Sequence, residues 1–127
     1  MLDHISLGVR DLARAASFYD AVLNALGYVR LWATDRGVGY GKHGARDEPF
    51  ALHAAGERAG APGGGWHLAL TAITRKAVDD FHAEALRAGG TDEGGPGLRP
   101  QYGPGYYAAF VRDLDGYKIE AVFHEPA

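Results

Sequence analysis

The sequence predicts an α+β fold: two tandem β-α-β-β-β units forming a curved, half-open mixed β-sheet barrel, with a helix outside each unit. Three observations predict it. First, the chain repeats itself: His4-Ile-Ser-Leu7 aligns with His67-Leu-Ala-Leu70 at an offset of 63 residues, and without a gap Phe18 then meets Phe81, Leu23 meets Leu86 and Gly27 meets Gly90. Second, each copy opens with an apolar run of period two and continues into a run at helical spacing. Third, only short segments broken by glycine and proline follow each helix, so the copies cannot build one long parallel sheet. With 127 residues, 46% of them apolar, the chain is expected to form a single domain over 1–127, with units at about 1–56 and 65–127.

Leu2 to Val9 alternates and reads as a strand whose Ile5, Leu7 and Val9 face a core. Asp11 stands where a helix N-cap belongs, and Leu12, Ala15, Ala16, Tyr19, Val22, Leu23 and Leu26 form one helical stripe. Gly27 sits where a left-handed residue ends such a helix. Tyr28 to Thr34, Gly37 to Gly41 and Pro49 to Ala54 read as the remaining strands of the first unit. Glu57 to Gly65, rich in Ala, Gly and Pro, reads as the linker. The second unit repeats the plan. Trp66 to Ala72 alternates, Thr74 is a cap, and Ala77, Val78, Phe81, Ala85 and Leu86 make the stripe that Gly89-Gly90 ends. Thr91 to Leu98, Tyr106 to Arg112 and Tyr117 to His124 are the last three strands.

Composition narrows the function classes. A net charge of −3 and a pI near 6.0, with Lys and Arg scattered, give no general attraction to nucleic acid. No apolar run approaches a membrane span of about 20 residues, and the first residues lack a signal pattern, so a cytoplasmic protein with no membrane or nucleic-acid partner is expected. Without cysteine there is no disulfide or thiolate chemistry, and any metal must be held by His, Asp, Glu and water.

Strand parity sorts the remaining candidates. Opposite the apolar set of the first strand lie His4, Ser6 and Gly8; opposite Leu68 and Leu70 lie His67, Ala69 and Thr71. On the last strand Lys118, Glu120, Val122 and His124 oppose Tyr117, Ile119, Ala121 and Phe123. His4, His67 and Glu120 are thus expected to face one concavity. Two imidazoles and a carboxylate leave open positions on a divalent ion such as Zn, Ni, Fe(II), Mn or Co, and a substrate can coordinate there. The blander reading, half-buried polar side chains and no metal, stands beside it. The run Gly94 to Tyr107 is dense in Gly, Pro and Tyr. It reads either as a stiff hairpin loop or as a substrate loop, in which Arg99 clamps a carboxylate or phosphate and Tyr102, Tyr106 and Tyr107 offer faces and hydroxyls. Lys118 is a candidate substrate contact as well, and Lys118 and His124 are candidate acid-base partners. Gly39-Tyr-Gly41-Lys-His-Gly44 fits a dinucleotide pattern by spacing alone, but no amphipathic helix follows it. His43 and His82 receive no role.

The opening Leu2-Asp3-His4-Ile-Ser-Leu-Gly-Val-Arg-Asp-Leu12, with Phe18-Tyr19, resembles the first strand and helix of the vicinal oxygen chelate superfamily of glyoxalases, bleomycin- and fosfomycin-resistance proteins and extradiol dioxygenases. Phe110-Val-Arg-Asp113-Leu-Asp115-Gly116-Tyr-Lys-Ile-Glu120 is similar to that superfamily's Asp-Pro-Asp-Gly turn and metal-ligand Glu, with Leu114 in place of the proline. The resemblance covers nearly the whole chain. It implies a metal held by His4, His67 and Glu120, with Glu120 also able to act as base, in a lyase or isomerase acting on a small molecule with adjacent oxygens. It implies a homodimer too, with sites inside one chain or across two. Aligning the first unit's end with the Asp115 turn puts Leu52 at the fourth ligand position and His53 on the wrong face, which speaks against glyoxalase I proper. A metal-free binding protein of bleomycin-resistance type and an extradiol-type dioxygenase are the alternatives.

Overall fold

A computed structural model describes all residues, 1–127. The first unit is β1 (Ile5–Val9), α1 (Leu12–Ala25), β2 (Val29–Ala33), β3 (Gly37–Gly41) and β4 (Phe50–Ala54). The second is β5 (Leu68–Thr71), α2 (Arg75–Arg87), β6 (Thr91–Leu98), β7 (Tyr106–Arg112) and β8 (Lys118–His124). Each unit is one four-stranded mixed sheet, in the orders β1-β4-β3-β2 and β5-β8-β7-β6, with parallel β1/β4 and β5/β8 pairs.

Both helices start as their caps direct. The Asp11 carboxylate accepts the Arg14 N–H at 3.1 Å and the Thr74 hydroxyl accepts the Ala77 N–H at 3.0 Å. α1 buries Ala15, Ala16, Phe18, Tyr19, Val22 and Leu23, and α2 buries Ala77, Val78, Phe81 and Ala85. Each large apolar side chain so buried stabilises the fold by about 1.5–3 kcal/mol. Leu86 departs from its stripe and is exposed.

The two units share one apolar cluster that draws on both helices and on the helix-facing sides of both sheets. The expected half-open arrangement of two β-α-β-β-β units is present: the sheets are not closed, no strand of one unit pairs with a strand of the other, and β1 and β5 are edge strands. With α1 and α2 packed on each other between the units, the sheets meet through their helices rather than edge to edge. Three hydrogen bonds add to this link, one of them from the Tyr19 hydroxyl to Asp113. The Arg10 N–H donates to Asp115 at 2.9 Å, and the Tyr117 hydroxyl donates to the Gly8 carbonyl at 2.8 Å.

The β7–β8 turn is organised by buried Asp113, which accepts the backbone N–H groups of Asp115 and Tyr117 at 2.9 Å and the Tyr19 hydroxyl at 2.5 Å. Burial pushes this carboxyl above its ordinary value despite those donors. Its contribution to stability is therefore complete below the unfolded aspartate value and is lost as pH rises through the raised one. Asp113→Asn, which keeps an acceptor and carries no charge, should gain melting temperature relative to the natural chain as pH rises from the ordinary aspartate range through the raised value. A constant difference across that range would count against a carboxyl titrating in the folded core.

Candidate functional site

Parity on β8 holds as read: Ile119 and Ala121 enter the helix-side core, while Glu120 points to the other face. Glu120 is only 1% exposed, and both its oxygens are engaged. Oε1 lies 2.8 Å from Nε2 of His67, and Oε2 accepts the Tyr106 hydroxyl. His67 stands just before β5, so the parallel β5/β8 pair, in which Ala69 opposes Glu120, carries its ring to the carboxylate. Burial, reinforced by the hydrogen bond to Glu120, lifts the Tyr106 phenol to about 12. It stays protonated and remains a donor.

Phe110 lies opposite Glu120 in the β7/β8 register and forms the floor of this face. The His67 ring is 6.0 Å from it, the Arg99 guanidinium 5.6 Å and the Lys118 ammonium 5.4 Å. His124 meets Tyr106 edge-on at 5.1 Å, and Tyr102 packs on Tyr106 at 5.4 Å. A cleft of about 500 Å³ opens beside His67, Lys118 and Arg112 under the Pro62–Trp66 segment. A second cleft, of about 760 Å³, runs along α1 and α2. Its Asp20, Glu84 and Asp80 are paired with Arg30, Arg87 and Lys76, which leaves no reactive group free there.

Of the residues expected at the site, His67, Glu120, Tyr106, Lys118, Arg99 and Tyr102 gather on this face. Tyr107 does not. It points the other way, its hydroxyl donating to Asp79 on α2 with the Arg75 guanidinium 4.6 Å above its ring. Alternation along β7 separates the two adjacent tyrosines. His4 also stands apart: it precedes β1 in the other sheet, is exposed, and bonds Asp3 at 2.6 Å, which raises its pKa. No three His, Asp or Glu side chains of the chain gather closely enough to hold an ion.

The register also corrects the fourth position. Glu120 opposes Ala69, whose repeat partner is Ser6, and Ser6 opposes Ala51. Ala51, not Leu52, is therefore the counterpart of Glu120, and His53 shares its face; Leu52 is fully buried on the helix side. The gapless alignment through the turns was one residue out of step, which in a strand exchanges the faces. Either way no carboxylate stands there. Two further features escaped the sequence reading. Phe110 shares parity with Tyr106, which was signal enough to find it. Trp32 lies flat on the other unit's open face, where a Cβ on Gly39 would come within 2.1 Å of its indole nitrogen; only the fold shows why those glycines are needed.

A family model described as the Glyoxalase/Bleomycin resistance protein/Dioxygenase superfamily matches residues 1–121. The chain is 33% identical to a glyoxalase/bleomycin resistance protein from Albidiferax ferrireducens, with a TM-score of 0.82 and 98% of each chain covered. A glyoxalase-related enzyme from Fulvimarina pelagi is 21% identical with a TM-score of 0.72, the match covering 97% of this chain and 87% of that one. A genomically encoded fosfomycin resistance protein from Listeria monocytogenes is 16% identical with a TM-score of 0.71, covering 98% and 93%. The last two likenesses show the fold alone. No curated protein matches, and no helix is long and apolar enough to cross a membrane. Family model, repeat and sheet topology agree, and the chain belongs to the glyoxalase/bleomycin resistance protein/dioxygenase superfamily.

Proposed function

We propose that the chain is a metal-dependent enzyme of lyase or isomerase type, acting on a small molecule with adjacent oxygens and working as a homodimer. The observation that carries this is the buried Glu120 carboxylate set against His67 at 2.8 Å. An imidazole nitrogen and a carboxylate oxygen fit Zn, Ni, Fe(II), Co or Mn. Within one chain the donor set stops at two, so a second copy's His4 supplies the third. Its exposure, its place beside the free edge of β1 and its repeat relation to His67 support that arrangement. The dimer has two such sites by symmetry.

A bound divalent ion would supply Lewis acidity toward the substrate's oxygens. The chain's own residues do the rest. His67 and Glu120 would hold the ion, the Tyr106 hydroxyl fixes the carboxylate by donating to Oε2, and Phe110 closes the floor beneath them. Glu93, the other carboxylate beside the cleft, is paired with Arg112, so Glu120 is also the group to take a proton from the substrate.

The second reading is a metal-free cavity that sequesters its ligand, favoured by the engagement of both Glu120 oxygens within the chain. Metal analysis of untagged protein separates the two. Metal near one ion per chain, lost in Glu120→Gln with an affinity drop of at least about 100-fold, supports the enzyme. No uptake from Zn, Ni, Mn or anaerobic Fe(II) supports the binding protein.

A further inference from the structure

The second unit carries six cationic side chains, Arg75, Lys76, Arg87, Arg99, Arg112 and Lys118. Four have carboxylate partners: Arg75 with Glu125, Lys76 with Asp80, Arg87 with Glu84 and Arg112 with Glu93. Arg99 and Lys118 have none, and these are the two that flank the Phe110 ring. Arg99 is held in place by donating to the Gly97 carbonyl at 2.9 Å and the Gly95 carbonyl at 2.7 Å. Those bonds use two of its five N–H groups and leave its charge uncompensated. Lys118 makes no hydrogen bond to the protein and lines the cleft beside His67. Both side chains are half-buried, so water screens them less than it screens a surface charge. The carboxylates beside the face are already engaged, Glu93 by Arg112 and Glu120 by His67 and Tyr106. Two unpaired cations with no free carboxylate leave the face short of negative charge, and a divalent ion would widen the deficit.

We propose that Arg99 and Lys118 form an anion subsite, so that the molecule taken at this face carries a carboxylate or phosphoryl group besides the oxygens it presents toward Glu120. This rests on the reading of the Glu120 face as the binding site but not on a metal being there. The ligand would lie across Phe110, its charged end held by the guanidinium and ammonium groups.

The test titrates lactate, its neutral amide lactamide and inorganic phosphate into the full chain by calorimetry or NMR, with and without added Zn. At least one anion should bind at least about tenfold more tightly than lactamide, and Lys118→Gln should weaken it about tenfold while leaving lactamide unchanged. Arg99→Lys, which keeps the charge but not the fork, should weaken it less than Lys118→Gln does. Preference for phosphate assigns a phosphoryl ligand and preference for lactate a carboxylate. Equal binding of lactate, phosphate and lactamide, no binding of either anion, or anion affinity unmoved by Lys118→Gln in a folded variant each overturns the subsite. Anion selectivity that persists without Zn in a protein that takes up no metal would sink the metalloenzyme reading and leave the subsite standing.

Discussion

Unfolded, mixed in equal amounts and refolded together, His4→Ala and Glu120→Gln chains should recover about a quarter of the wild-type metal content, although each alone holds little. The figure follows from counting sites. Random pairing makes about half the dimers mixed. In a mixed dimer one site combines both defects, and the other combines an intact His4 from one chain with an intact His67 and Glu120 from its partner. A site built inside one chain gives no recovery in any mixture, because every chain carries a defect. The geometry favours the shared site: His67 and Glu120 touch across β5 and β8, while His4 belongs to the other sheet and bonds only Asp3. Glutamine is the replacement of choice at 120. That side chain is 1% exposed and accepts from Tyr106, and an alanine would leave a cavity and an unpaired phenol, confusing lost metal with lost fold.

The same contrast shows what the sequence could and could not reveal. Every strand and both helices are legible because their signals are local: alternation, a helical stripe, a capping Asp11 or Thr74, a glycine after the helix. The pairing of His67 with Glu120 is legible too, since parity and the repeat place both on one face. The position of His4 relative to them is not. It depends on how two complete units pack, and here the apolar faces of α1 and α2 meet in a common core while the sheet edges stay free. Parity along β7 separates Tyr106 from Tyr107, yet their adjacency in a loop-like sequence hid it. The assignment of Leu52 failed because turn lengths differ between the units, and a slip of one residue in a strand turns a core leucine into an apparent site residue. Arg99 and Lys118 could be named as candidates. Their lack of partners became visible only once the other cations of the unit were seen paired.

Gly90→Ala should be among the most damaging single-methyl additions to this chain, costing about 3 kcal/mol, the upper end of what overpacking does. Gly27, its repeat partner, has φ +89° and open space around its missing Cβ, so alanine there meets only the left-handed backbone penalty of about 1 kcal/mol. In the second unit that backbone role falls to Gly89, at φ +101°, and Gly90 does something different. A Cβ on it would lie 2.8 Å from the Arg112 carbonyl oxygen, 2.9 Å from that of Ala85 and 2.9 Å from the Phe18 ring. Two of the three obstacles are backbone and cannot swing aside. The third is a fully buried ring from the other unit's helix, so relief would have to come from separating the end of α2 from α1 and from β7 together. The melting temperature should fall by about 10 °C or more for a domain of this size, against a few degrees for Gly27→Ala. Equal losses at the two positions would mean that the glycines serve only as helix stops, and that the tight approach of Phe18 to Gly90 does not help hold the two units together.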